Sequence, residues 1–484
     1  MAIFYVYSSP VFSDGVVLTM RISIFLLVLT LCGSVAAETR LPAFFSDGMV
    51  VQRNTEIAVW GWDEPNRSIR VSADWGENAR TRAGDDGSWR VTLPTPEAGG
   101  PFEIKVKGSD SIELNDVLVG EVWFASGQSN MDMRMRGNTN QPIVGSNEAI
   151  LHASNPRIRL FTAERQYFEE PMDDVVGEWM PATPASVKAF SAVGWFFAEK
   201  IETLVDVPVG IISSAWGGSN VESWIDAETL ESFEHLGFRE ATANQPERRT
   251  PTLMYNGMLH PFIGYGIRGM IWYQGESNRS RAGEYLELFP AMVESWREQW
   301  GIGDFPFYYV QIAPYDYESG NSAFLREAQL HSMAARPNMG MAVTLDIGEC
   351  GQIHPAEKRT VADRLAYWAL SQDYGFDAIG FSGPVYREME IAGDGKAVLR
   401  FDHAPRGLTS FGQGLAGFEI AGEDRVFHPA QAEIARREVA VTVWSEDVPE
   451  PVAVRYAFED CPSASLFSTE GLPASSFRTD DWEE

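Results

Sequence analysis

The chain is short of cysteine, histidine and positive charge: 3 Cys, 7 His and 38 Lys plus Arg stand against 68 Asp plus Glu in 484 residues. The resulting formal charge of −30 argues against nucleic acid and against anionic membrane surfaces as partners. So few cysteines exclude a disulfide framework. His-Glu-x-x-His, paired Cys-x-x-Cys and EF-hand-like loops are all missing, so no metal site is expected. A Walker-type phosphate loop is missing too, and no cofactor is implied. There is no repeat array and no long low-complexity linker. Beyond the N-terminus no apolar run reaches the length of a bilayer span.

What remains is the composition of a folded protein, 44% hydrophobic and 22% charged, long enough for a catalytic domain with one or two accessory domains. Fifteen tryptophans suit core packing and, for some of them, sugar stacking. Near the N-terminus Arg21 precedes an apolar run from Ile22 to Leu31 and then Val35-Ala36-Ala37. That is the layout of a secretory signal peptide over residues 1–37, cleaved after Ala37. Residues 1–19 fit no part of that layout, which makes Met20 a second candidate start. Cys32 lacks the small residue that precedes a lipidated cysteine, so the expected product is a soluble exported protein, periplasmic or secreted. Processing leaves Cys350 and Cys461, expected as buried free thiols with a bridge between them as the alternative.

Three regions differ in pattern. Over 38–115, Ile57/Val59, Ile69/Val71/Ala73/Trp75 and Phe102/Ile104/Val106 alternate at period two, with turns at Asp86-Gly87 and Gly99-Gly100-Pro101. This reads as a small β-sandwich-like domain. Over 116–380 strands alternate with helices. The strands are Val117–Ser126, Val209–Ala215, Gly269–Tyr273, Phe307–Ile312 and Met341–Leu345; the helices are Val193–Leu204, Tyr285–Trp300, Ala323–Ala335 and Ala356–Leu370. The fold class is α/β, with a parallel sheet covered on both faces. Over 381–484 the β pattern returns in a C-terminal β domain, with a hairpin turn at Gly393-Asp394-Gly395.

Four stretches follow predicted strands and should meet beyond the sheet's carboxyl edge, where ligands bind in such sheets. The first, Gly127-Gln128-Ser129-Asn130-Met131, puts a serine just after a sharp glycine turn, lifted clear of the sheet as a nucleophile must be. The second, Ala215-Trp216-Gly217-Gly218-Ser219-Asn220, has paired glycines that let a backbone N–H point at a ligand. The third is Trp272-Tyr273-Gln274-Gly275-Glu276-Ser277-Asn278, preceded by Tyr255-Asn256-Gly257-Met258-Leu259-His260-Pro261. The fourth, Asp346-Ile347-Gly348-Glu349-Cys350-Gly351-Gln352-Ile353-His354-Pro355, carries an imidazole suited to a general base. Three histidines precede proline: His260, His354 and His428. His354 alone follows the last strand of the sheet, and Pro355 reads as the first residue of the next helix.

These blocks, in this order, resemble the sialate O-acetylesterases, a carbohydrate-esterase branch of the SGNH (GDSL-like) hydrolases. The resemblance implies a flavodoxin-like three-layer catalytic domain between the two β regions. It implies Ser129 as nucleophile and His354 as base, with an oxyanion hole from Gly217 or Gly218 and an amide, Gln274 or Asn278. One departure is plain: the superfamily's Asp-x-x-His would put aspartate at 351, where this chain has Gly351. Candidate orienters of the imidazole are Gln352, Asp346, Glu349 or a backbone carbonyl, and a Ser–His dyad is the remaining arrangement. The implied substrate is an acetylated sugar or glycan, sialic acid or a xylan-type polysaccharide. The alternative from another class is a non-catalytic carbohydrate-binding protein. Oligomeric state is left open.

Overall fold

A strand of 17 residues, β1 (Ser111–Gly127), joins two kinds of pairing. Its first part lies antiparallel to Gly99–Lys107, and its second part lies parallel to strands on both sides. From Val117 to Gly127 every residue is buried, as a strand covered on both faces requires. The computed structural model describes residues 38–482 apart from Ala243, Arg436 and Arg437, so the expected signal segment, 1–37, lies outside the described residues. The boundary expected between 115 and 116 falls inside β1.

The other strands of the central sheet are β2 (Asn155–Thr162), β3 (Trp179–Ala182), β4 (Val209–Ala215), β5 (Gly269–Tyr273), β6 (Phe307–Val310) and β7 (Met339–Ala342). Their spatial order is β7-β6-β5-β1-β4-β2-β3, parallel throughout except for the β2–β3 pair. The chain builds β2 and β4 on one side of β1 and then crosses to build β5, β6 and β7 on the other. The crevice at such a reversal is where open parallel sheets bind ligands, and here it opens at the end of β1.

Alternation along β1 sends neighbouring side chains to opposite faces. Val122 and Phe124 join a cluster with Phe262, Phe289, Trp296 and Leu325, whereas Trp123 and Ala125 join one with Phe197, Tyr308, Leu365 and Trp368. The helices supplying these residues are α2 (Ala192–Val205), α3 (Ala282–Trp300), α4 (Ala323–Ser332) and α5 (Lys358–Asp373), with a short α1 (Ser129–Asp132) directly after β1. The expected strands and helices thus appear within a few residues of their places. Two differences have local causes. Gly99-Gly100-Pro101, expected as a turn, begins the strand Gly99–Lys107, with register shifts against β1 that accommodate it. Pro355 does not open α5, which starts three residues later at Lys358. β strands return after residue 381, and Val385–Ile391 and Ala397–Asp402 pair across Gly393-Asp394-Gly395 as expected.

The cysteines correct the expectation of free thiols. Cys350 and Cys461 form a disulfide across 111 residues, with Cα atoms 5.6 Å apart. Contacts around it bring the two segments together. The Tyr315 N–H donates to the Asp460 carbonyl at 3.2 Å, the Asp316 N–H to the Cys350 carbonyl at 3.0 Å, and the Ser322 N–H to Asp460 Oδ1 at 2.7 Å. Fully buried Arg326 on α4 donates to Ser476 Oγ at 3.0 Å and also to the Glu459 carbonyl. The bridge therefore ties the loop bearing His354 to the C-terminal region. The double variant Cys350→Ser/Cys461→Ser should lose about 2–4 kcal/mol of unfolding free energy in urea titration. Peptide mapping without reductant should recover the linked pair from the native protein.

Candidate active site

Three parallel strands end level with one another. Ala215 of β4 and Tyr273 of β5 both stand opposite Gly127 of β1. The residues that leave the sheet there are Gln128-Ser129, Trp216-Gly217 and Gln274-Gly275, the first three stretches singled out above. Gly127 has φ +135°, and a Cβ on it would lie 2.2 Å from the Tyr273 carbonyl oxygen, so only glycine fits this corner. The turn is then tied down on both sides. Gln128 donates its N–H to the Tyr273 carbonyl at 2.9 Å, and Trp216 donates to the Gly127 carbonyl at 3.1 Å. Ser129 follows as the first residue of α1, half-buried. A Cβ on Gly217 would sit 3.2 Å from Ser129 Cβ, so the second stretch lies directly against the serine.

The next residue joins the fourth stretch to this site. Fully buried Asn130 donates its amide to the Ile353 carbonyl at 3.1 Å, which links the neighbour of Ser129 to the neighbour of His354. The same amide donates to Glu276 Oε1 at 2.5 Å, and its oxygen accepts from Lys358 Nζ at 2.5 Å. Burial raises the Glu276 carboxyl above its ordinary range, against the pull of Asn130 and Lys358. Burial also pushes the Lys358 ammonium down to about 7, with Glu276 and Glu349 acting in the other direction. None of these three side chains had been assigned a role. Asn130 and Glu276 sat in quoted stretches, and Lys358 lies four residues after His354.

His354 is half-buried, and its Nδ1 lies 3.0 Å from Gln141 Oε1. An amide oxygen can only accept, so this contact protonates Nδ1 and leaves the Nε2 lone pair free. Gln141 corrects the expected orienters. Asp346 forms a two-point pair with Arg364, at 2.7 and 2.6 Å. Glu349 accepts the Ala356 N–H at 2.8 Å, and Gln352 meets Glu349 through a backbone bond of 2.8 Å. Asp346 is thus committed to α5 and Glu349 to its own loop. Gln141 arrives instead from a distant turn, where Val144 N–H also donates to the Ala356 carbonyl at 3.0 Å. Nothing in its local sequence marks it. Burial, with Lys358 adding to it, pushes the imidazole down to about 4.

The amides expected at the oxyanion are already engaged. Fully buried Gln274 donates to the Ser219 carbonyl at 3.2 Å and to Asn278 Oδ1 at 2.8 Å. Fully buried Asn278 accepts the Val221 N–H at 2.9 Å and donates to Glu222 Oε2 at 2.8 Å. Glu222 in turn pairs with Arg281. Both amides thus brace the loop after β4: Gln274 has both amide hydrogens committed, and Asn278 commits one to Glu222. Gly218, at φ +80°, gives its carbonyl to Arg249 Nε at 2.9 Å. Gly217 lies beside Ser129 and also beside Asp132, whose carboxyl is raised by burial and paired with Arg165. Arg165 reaches over the Trp216 ring, 6.0 Å from its centre, and Tyr167 lies 6.3 Å from that ring on the same side of the site. Of the other histidines before proline, His260 bonds the Met172 carbonyl at 2.8 Å and His428 lies on a strand in the C-terminal region. Among the described residues, the sole cluster with metal-ligand spacing uses Asp316 and the two sulfurs already spent in the disulfide.

Comparison with known proteins accords with this geometry. Residues 119–366, which contain all four stretches, match the family described as carbohydrate esterase, sialic acid-specific acetylesterase. The sialate O-acetylesterase of Mus musculus is 28% identical over 94% of this chain and 96% of its own length. That of Homo sapiens is 29% identical over 73% of this chain and 74% of its own. A crystal structure of a carbohydrate acetylesterase from Xanthomonas citri superposes with a TM-score of 0.84 at 39% identity, covering 92% of this chain and all of that one. The chain is therefore an esterase of the sialic acid-specific acetylesterase family of carbohydrate esterases.

Proposed function

We propose that the protein is an exported carbohydrate O-acetylesterase that works through a serine acetyl-enzyme. Ser129 Oγ attacks the acetyl carbonyl carbon while His354 Nε2 takes its proton. The oxyanion of the tetrahedral intermediate is held by the Ser129 backbone N–H and by the loop at Gly217-Gly218, with no carboxylate on the imidazole. His354 then protonates the departing sugar oxygen. Water, deprotonated by the same imidazole, attacks the acetyl-enzyme and releases acetate. The observation that carries this reading is the Asn130–Ile353 hydrogen bond, which brings serine and histidine loops from opposite ends of the domain to one strand edge. The sugar is seated on Trp216 and Tyr167, the latter 44% exposed, whose rings lie 6.3 Å apart centre to centre.

The accompanying fold reading is a flavodoxin-like SGNH hydrolase domain over about 116–380 between two β-sandwich-like regions, supported by the parallel order around β1. Export rests on the signal-like pattern of residues 1–37 and is supported by the Cys350–Cys461 bridge, a bond of oxidising compartments. The substrate class is an acetyl ester on a sugar hydroxyl. O-acetyl sialic acid and acetylated xylan are the two arms of the test, with released acetate as the readout.

Ser129→Ala should keep its fold by circular dichroism and lose at least about a thousandfold in kcat on an aryl acetate. A folded, fully active variant would remove the nucleophile from this reading. With an imidazole held low by burial, kcat/KM should stay level as pH falls from neutral to 5 and halve near about 4. Gln141→Glu supplies the absent carboxylate, favours the imidazolium and should move that midpoint upward by about one unit or more. A midpoint near 6.5 in the wild type would contradict the environment assigned to His354. Trp216→Ala should raise KM for the acetylated glycan by about tenfold and leave kcat on an aryl acetate within about threefold.

A further inference from the structure

Lys358 is in an unfavourable place for a cation. It is fully buried and is the first residue of α5, where the helix dipole opposes positive charge. Its partner in charge, Glu276, is buried as well and does not touch it; Asn130 stands between them. A buried ion pair of this kind adds little to stability compared with apolar side chains of the same volume. Its position is more telling. The three side chains lie directly beneath the turn that presents Ser129, and the central one clips that turn to the carbonyl that precedes His354.

The chemistry of the three partners allows Asn130 one orientation. An ammonium can only donate, so the amide oxygen faces Lys358; a carbonyl can only accept, so the amide nitrogen faces Ile353 and Glu276. We propose that Lys358 is a positioning residue for ester hydrolysis: by holding the Asn130 amide in this orientation, it sets the serine turn against the histidine loop. The inference rests on the reading in which Ser129 and His354 do the chemistry. With Gln141 on the imidazole itself, it assigns to a buried cation and an amide the alignment of the serine turn with the histidine loop. The charged and titratable groups around Lys358 are Glu276, Glu349 and His354, with the Tyr273 ring 5.4 Å from its Nζ. Its charge also disfavours the imidazolium of His354.

The test uses the full chain, with Lys358→Met and Lys358→Met/Glu276→Gln. The double variant leaves no uncompensated buried charge and still offers Asn130 an acceptor, so it decides the matter if the single variant fails to fold. On an aryl acetate the folded variants should lose at least about tenfold in kcat with KM within about threefold. The acid midpoint of the pH profile should rise as the neighbouring cation disappears, which loss of stability alone would not produce. A double variant that melts like the wild type but stays slow, with a raised midpoint, supports the inference. A folded variant with wild-type kcat overturns it. Ser129→Ala, run alongside, separates the two readings. If that variant is inactive while the Lys358 variants keep full activity, this inference alone falls; if Ser129→Ala is active, the catalytic reading and this inference fall together.

Discussion

No side chain fits at Gly127, where the end of β1 passes against the carbonyl of Tyr273. From that close approach the rest of the site follows. The β1, β4 and β5 strands stop at one level, so the residues that leave them emerge side by side instead of staggered along the sheet. A Cβ at 127 would part β1 from β5, and Ser129 would leave the company of both Gly217 and the Gln274 loop. The strand order also reverses around β1, the place where open parallel sheets bind ligands.

Beneath the serine the core is polar and most of its groups are paired, with Gln274 Oε1 and Glu276 Oε2 left without a hydrogen-bond partner. One set, Gln274, Asn278, Glu222 and Arg281, braces the loop after β4. The other, Glu276, Asn130 and Lys358, joins the loop after β1 to the loop after β7. Such networks specify geometry when every member is satisfied, and they are expensive to leave incomplete. The family resemblance offered one of the amides at 274 and 278 as an oxyanion donor. In this fold both amides hydrogen-bond to each other and to the loop after β4.

The histidine loop is held from three directions: by Gln141 at the imidazole, by the Asp346–Arg364 pair at its start, and by the disulfide at Cys350. An amide oxygen sets the tautomer of the ring as a carboxylate would, but it adds no charge to favour the imidazolium. Burial, with Lys358 adding to it, keeps the imidazole neutral in mild acid.

Local pattern determined a good deal. The strand Gly269–Tyr273 ends where its apolar run ends, as burial on both faces favours, whereas Val209–Ala215 carries buried Ser213 and Ser214 after its apolar run. That Ser129 and Gly217 lie together could be expected because each follows a strand at a turn, and the family resemblance named candidate roles for them and for His354. Other features belonged to tertiary structure alone. Gln141 and Lys358 are ordinary polar residues in sequence, and they matter because folding brings them to His354 and Asn130 from elsewhere. Pairing of Cys350 with Cys461 depended on contacts across 111 residues, which spacing cannot reveal. Periodicity records which residues meet water and which do not; it carries no record of which buried polar group will meet which, since that is decided when distant loops close on one another.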